Sequence, residues 1–167
     1  MSIADLQPGR QLPSNLGGML TRDYGHLLPP KCSDSYKLYA EHWPQEPHSL
    51  YVRLVSKRTG DKVGRIDAGV SRTGTGDRAI VISTSEMYHA RQRGKGLGKA
   101  MYEALFAHGY HCMGLKYVQG FNHSSMARNV HESLCRKHGF TGYDPDQVGK
   151  VKGPLDNAFD EYCYRLR

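Results

Sequence analysis

The hydrophobic period of this chain switches from strand-like to helical between Ser85 and Leu97, and the switch limits the folds open to it. Upstream, residues 50–56 (LYVRLVS) and 62–70 (KVGRIDAGV) are β-branched and aromatic around a turn-like Lys57–Asp61 stretch, the pattern of an antiparallel hairpin. Gly74 and Gly76 mark a second turn, and residues 79–85 (AIVISTS) open with a continuous apolar run, which predicts a third, central strand and so a meander. Downstream, Leu97, Met101, Ala104, Leu105 and His108 recur at helical spacing, which predicts an amphipathic helix over 95–108 closed by Gly109.

The remaining segments follow the same logic. Residues 115–119 return as a strand candidate. Ser124 or Ser125 caps a second helix with the apolar stripe Met126, Val130 and Leu134; Arg136, Lys137 and His138 stand at its negative end, and Gly139 stops it. Residues 140–143 and 161–166 are short aromatic strand candidates separated by a Gly/Pro/Asp loop. Residues 1–49 read as an irregular arm with a short helix, because Pro8, Gly9, Pro13, Gly17, Gly18, Pro29 and Pro30 interrupt any period. One domain over 1–167 suits the length. The class expected is α/β (α+β): a mixed, mostly antiparallel sheet flanked by helices.

Apolar residues make up 38% of the chain, and no apolar run approaches the roughly 20 residues of a bilayer-crossing helix. Residues 1–6 lack a basic segment followed by an apolar one, so a cytoplasmic setting is expected. Cys32, Cys112, Cys135 and Cys163 are widely spaced, as free thiols in a reducing compartment are. His108, His111 and Cys112, like His131, Cys135 and His138, have metal-ligand residue types at helical spacing, but no fourth ligand is paired with them, and no metal is expected. The net charge of +7 calls for an anionic partner without choosing one.

The choice comes from the junction itself, Arg91-Gln92-Arg93-Gly94-Lys95-Gly96-Leu97-Gly98. Glycines turn the chain tightly and expose N–H groups, and the first helical turn aims its unpaired donors and positive dipole end at the same place. That makes an anion site, to which Arg91, Arg93, Lys95 and Lys99 add charge. The spelling rejects the dinucleotide fingerprint, since Lys99 occupies its last glycine position, and the nucleotide P-loop, since Ala100 follows Gly98-Lys99.

Arg91-x-x-Gly94-x-Gly96, after a strand and opening a helix, resembles the acyl-CoA-binding motif of the GCN5-related N-acetyltransferases. The order of elements from Leu50 to Tyr143 fits that family too, and residues 128–140 look like its second helix with the closing Gly-Phe pair, Gly139-Phe140. The resemblance implies a sheet splayed open after the third to fourth strand, with acetyl-CoA or coenzyme A lying in the V. Backbone amides of Gln92, Arg93, Gly94, Lys95, Gly96, Leu97 and Gly98 would cradle the pyrophosphate. Ser85, Glu86, Met87 and Tyr88 would meet the pantetheine and the thioester, with Asn129 or Asn122 adding an amide.

The sequence departs from the family where catalysis is concerned. The early carboxylate common on the third strand is replaced by Ile80 and Ile82, leaving Glu86 as the acid of that segment, either a base or a solvated strand end. The tyrosine that protonates the leaving thiolate has its counterpart in Cys135, either a donor or a core thiol, with Tyr88 and Tyr143 as substitutes. Glu86 and Cys135 are therefore the candidate catalytic pair.

The resemblance implies acetyl transfer from acetyl-CoA to a primary amine of a small molecule or a protein lysine or N-terminus. The alternative is a coenzyme A-binding protein, with weak or no catalysis, that docks on a partner protein; a homodimer is compatible with either. A nucleic-acid role for residues 89–99 is less favoured, because apart from Tyr88 no aromatic is interleaved with the basic residues. The amine pocket is expected from residues 1–49 and 144–160, where Asp144, Asp146, Asp156 and Asp160, with Glu161, make an acidic patch suited to a cationic acceptor.

Overall fold

Strands begin earlier than the arm's composition suggests. In the computed structural model, which describes residues 2–13, 17–88, 96–121, 125–143, 151–153 and 161–167, the first strands are β1 (Gln11–Leu12), β2 (Leu20–Asp23) and β3 (Tyr36–His42). The expectation of an irregular arm through residue 49 is corrected here: β3 alternates buried Tyr36, Leu38, Ala40 and His42 with more exposed residues, a period-2 pattern between Pro30 and Pro44. Among its described residues the arm's helical content is two 3-10 turns, Ile3–Asp5 and Gly25–Leu27.

The meander follows as expected. β4 (Ser49–Ser56), β5 (Lys62–Arg72) and β6 (Arg78–Met87) pair antiparallel in sequence order, continuing from β3. Helix α1 (Leu97–Met113) crosses over to β7 (Tyr117–Phe121), which runs parallel to β6. After α2 (Ser125–His138) come β8 (Thr141–Tyr143), β9 (Val151–Gly153) and β10 (Glu161–Arg165), with β10 inserted between β7 and β8. The ten strands form one mixed, mostly antiparallel sheet. Strand β9 falls in the segment read as loop; the rest of 144–160 lies outside the described residues.

Helix α1 outruns its predicted end. It continues through Gly109 to Met113 and closes on Gly114, whose φ of +70° is the left-handed conformation of a C-terminal cap. Gly109 serves packing instead: a Cβ there would lie 2.6 Å from Ile80 Cδ1, so the missing side chain lets the helix settle onto β6. The helix is also buried almost all round between Ala100 and Gly109, since it touches β3 to β6 on one side and the Ile3–Asp5 turn and α2 on others. Leu38, Leu50, Leu54, Ile66, Ile80 and Leu105, all fully buried, join sheet to helix, each contributing about 1.5–3 kcal/mol by leaving water. Among the described residues no helix is long and apolar enough to cross a membrane. Cys32, Cys112 and Cys135 are free thiols.

Candidate functional site: a cleft between parallel strands

Strands β6 and β7 pair only at Ala79–Tyr117 and Ile80–Val118 and then part, although β6 continues to Met87 and β7 to Phe121. Each keeps its other neighbour: β6 stays with β5 as far as Met87–Gly64, and β7 stays with β10 as far as Phe121–Glu161. The opening has a local cause. Asp67 pairs with Thr84 and Ala68 with Ile82, so Ser83 is an extra residue in β6, a bulge that raises twist and turns the strand away. Beyond Ile80 the edge of β6 therefore faces a V instead of a strand. This is the splay expected from the sequence.

The N-terminus of α1 follows the open end of β6. Gly96 is its N-cap, with φ +79°, and neither a side-chain cap nor an acid in the first turn satisfies the leading N–H groups. Among the described residues nothing lies within 4 Å of a Cβ built on Gly98, and Lys99 is exposed, so the first turn directs donors and charge away from the rest of the described chain. Leu97 is buried beneath them. Pro29 Cγ, 3.2 Å from a Cβ built on Gly96, brings the arm against this cap. Arg91, Gln92, Arg93, Gly94 and Lys95 lie outside the described residues, as do Asn122, Asp144, Asp146, Asp156 and Asp160.

Tyr88 donates its N–H to Val63 O at 2.9 Å and leaves its ring 42% exposed, while Met87 packs partly against the core. Ser85 and Glu86 turn to opposite faces of the sheet. Glu86 Oε2 accepts from Arg65 Nε at 3.1 Å, and Arg65 and Arg53 both pair with Asp67, which ties Glu86 into an ion-pair network on the open face. Ser85 bonds the hydroxyl of Tyr102 on α1.

On α2, Cys135 is buried in the core, and burial foremost, with Glu132 adding to it, pushes its thiol up to about 12. It neighbours Tyr164, which pairs with Val118 at the closed part of the V. His131, one turn earlier, sits nearer the mouth: its ring lies 4.4 Å from that of Tyr162, which pairs with Gly120, and 5.3 Å from Tyr102. His131 Nδ1 and Tyr164 Oη are 2.6 Å apart, and burial lowers the imidazole to about 4. Asn129 is exposed on the other side of α2. Tyr143 stacks edge-on against Tyr117 at 6.0 Å, at the closed end of the V, so it is no substitute donor for the mouth.

Sequence reading thus missed Tyr102, Tyr162 and Arg128. The two tyrosines carry no local signal of a site, and only the topology brings them to one cleft. Arg128, in the first turns of α2, has an Nε shielded from solvent with no partner among the described residues. A buried guanidinium nitrogen left unpaired costs about 1–3 kcal/mol or more, so the site fits an anionic ligand. The histidine–cysteine set on α1 does not fit a metal: both His108 ring nitrogens are engaged, Nδ1 with Tyr24 Oη at 3.0 Å and Nε2 with His42 Nδ1 at 2.8 Å. His111 Nε2 donates to Ile3 O at 3.0 Å. Among the described residues no cluster of ligating side chains has metal-site geometry.

No family model and no curated protein matches the chain. Solved structures do resemble it. Arabidopsis thaliana NAA60 in complex with acetyl-CoA is 11% identical, over 74% of this chain and 78% of that one, with a TM-score of 0.46. The acetyltransferase from Agrobacterium tumefaciens is 16% identical over 70% of this chain and 60% of that one, TM-score 0.44. The ribosomal-protein-S5-alanine acetyltransferase from Vibrio fischeri is 11% identical over 71% and 61%, TM-score 0.43.

Proposed function

We propose that this protein is an acyltransferase of the GCN5-related N-acetyltransferase type, moving an acetyl group from acetyl-CoA to a primary amine. The observation that carries this reading is the parting of β6 and β7 after Ile80–Val118, with the uncapped start of α1 following the open end of β6. A splayed parallel pair offers a strand edge to an extended, amide-bearing arm, and the helix start offers N–H groups to its phosphates. The glycine spelling of 94–98 and the orphaned Arg128 Nε suit the same ligand.

Bound there, acetyl-CoA supplies an acetyl group already activated as a thioester. The protein's share is placement and proton handling. The free edge of β6 aligns the arm, the first turn of α1 with Lys99 holds the phosphates, and Arg128 adds a charged donor. The amine nitrogen bonds to the carbonyl carbon as the carbon–sulfur bond breaks; the nitrogen gives up one proton to solvent or a base, and the thiolate takes one. Tyr102 is the donor we assign: burial raises its phenol above 10 and keeps it protonated, while its hydroxyl reaches Ser85 on the strand that aligns the arm. Glu86 stands on the opposite face, in position to accept the amine's proton only from that side.

Calorimetric titration with acetyl-CoA tests the reading, run beside a Gly94→Glu, Gly96→Glu double variant. Binding to the native chain with loss in the folded variant supports it. No binding to the native, folded and ligand-free chain overturns it. Binding without acetyl transfer to any of a panel of amines would leave a coenzyme A-binding protein that acts by docking.

A further inference from the structure

One buried phenol in the cleft has no task in the proton handling. Two residues beyond the closed pair Ile80–Val118, the parting strands reach Ile82 on β6 and Gly120 on β7. Tyr162 of β10 pairs with Gly120 and points to the same side of the sheet as Tyr164, the side that α1 and α2 cover. Its ring does not stand upright on the sheet. A Cβ built on Gly120 would lie 3.0 Å from Tyr162 Oη and 3.3 Å from Cζ, so the phenol leans across β7 and brings its hydroxyl over the strand that borders the V. The missing side chain at Gly120 admits it.

The phenol is fixed in that position. Tyr164, which pairs with Val118 and so lies nearer the vertex, stacks on it at 5.9 Å. His131 lies against it at 4.4 Å, its own ring held by the 2.6 Å contact of Nδ1 with Tyr164 Oη. All three rings are buried, and a ring packed at interior density has little room to retreat. The direction of a bound acyl-CoA follows from the ends of β6. Phosphates at the first turn of α1 lie beyond Met87, so an arm extended along the strand edge runs from there past Ser85 and Tyr102 toward Ile82. Its thioester end is the end nearest the vertex, and each carbon added to the acyl group lies nearer still. At about 3.3 Å of rise per residue, the level of Tyr162 is only about 7 Å from the closed pair.

We propose that Tyr162, leaning over Gly120, sets the length of acyl chain the cleft accepts and confines the donor to acetyl-CoA. The inference rests on the cleft being the acyl-CoA site. Ile82, partly buried on the facing strand, and the His131 ring complete the stop. A longer acyl group must displace a packed ring, which a closed core resists as it resists any added bulk.

Calorimetric titration with free CoA, acetyl-CoA, propionyl-CoA and butyryl-CoA tests the proposal by affinity, without turnover. In the native chain propionyl-CoA binds at least about 10-fold more weakly than acetyl-CoA, the lower end for one methylene against a shaped apolar wall, and butyryl-CoA more weakly again. Tyr162→Phe keeps the ring, removes the oxygen over Gly120 and moves the limit by one carbon: propionyl-CoA comes within about threefold of acetyl-CoA, while butyryl-CoA stays excluded. Tyr162→Leu removes the ring and brings butyryl-CoA within about threefold as well. Free CoA carries no acyl group and binds all three chains alike, which certifies each variant as folded. A native chain that binds neither CoA nor acetyl-CoA overturns the acyltransferase reading and this inference with it. A native chain that binds CoA, acetyl-CoA and butyryl-CoA equally well overturns the acyl limit alone. So does a Tyr162→Phe or Tyr162→Leu chain that binds free CoA normally yet keeps the native acyl ranking, as a tyrosine with a merely structural role would allow.

Discussion

Gly109 of α1 and Ile80 of β6 are in contact through a missing side chain: a Cβ at 109 would sit 2.6 Å from Ile80 Cδ1. Two effects of Gly109→Ala oppose each other. Helix propensity favours alanine by about 1 kcal/mol, whereas overpacking a closed core costs about 1–3 kcal/mol. Ile80 is fully buried, so its δ-methyl has no room to retreat, and the core term wins. Gly109→Ala lowers unfolding free energy in urea, and adding Ile80→Val, which removes the offending methyl, restores part of the loss. A single variant as stable as the native chain would refute this contact.

A second prediction concerns pH. Burial first, then His42 and Arg22, holds His108 down to about 3; burial holds His131 to about 4 and keeps His42 below 6.5. A base with its folded pKa below the unfolded value leaves the unfolded chain holding more protons at any pH between the two. Stability is therefore whole above about 6.5 and falls as pH drops toward 4, by up to ~1.4 kcal/mol per pH unit for each such histidine. Urea midpoints measured from pH 7 to 4.5 should show that fall, and His131→Gln should reduce its slope by about one proton. A flat profile would count against neutral buried histidines.

Glu103 works with the opposite group type. Burial opposes its ionisation, but hydrogen bonds from His138 and Lys137 outweigh burial and bring its pKa below 4.5. His138 Nε2 donates at 2.9 Å from a buried ring and makes the largest single lowering contribution, while the Lys137 side chain is 56% exposed and its share is screened by solvent. An acid with a lowered folded pKa adds stability above its unfolded pKa and loses it as pH falls through the folded one. Glu103→Gln should cost about 1.5–3 kcal/mol at pH 7 and converge on the native chain in acid, while Lys137→Ala should cost under about 1 kcal/mol. Equal losses from the two variants would shift the credit to lysine.

These buried polar groups mark where the sequence was legible and where it was not. The strands from Leu50 onward, β9 apart, and both helices follow from local period and glycine punctuation, which is why their order was readable. Gly109 misled because a glycine that admits a strand looks, in one dimension, like a glycine that ends a helix. Strands β2 and β3 were hidden by prolines that lie in the turns beside them. The uncapped start of α1 was readable because helix termini are local. Tyr102, His131 and Tyr162 were not, since they come from α1, α2 and β10 and meet only through the β7–β10–β8 order of the sheet.

The last prediction places the proton donor. Cys135 corresponds to the tyrosine of the family pattern, but a thiol raised to about 12 in the core beside the closed part of the V has no path to a thiolate at its mouth. Tyr102 reaches Ser85 on the open strand. Measured by thiol release from acetyl-CoA with a good amine, Tyr102→Phe should lower kcat about 100-fold, the lower end for a general acid, with KM for acetyl-CoA within about threefold. Cys135→Ala should leave kcat within about threefold and lower Tm by a few degrees, through the small cavity it opens in the core. If Cys135→Ala abolishes turnover in a chain that still melts cooperatively while Tyr102→Phe does not, the donor belongs on α2 and the cleft must close further than its strands show.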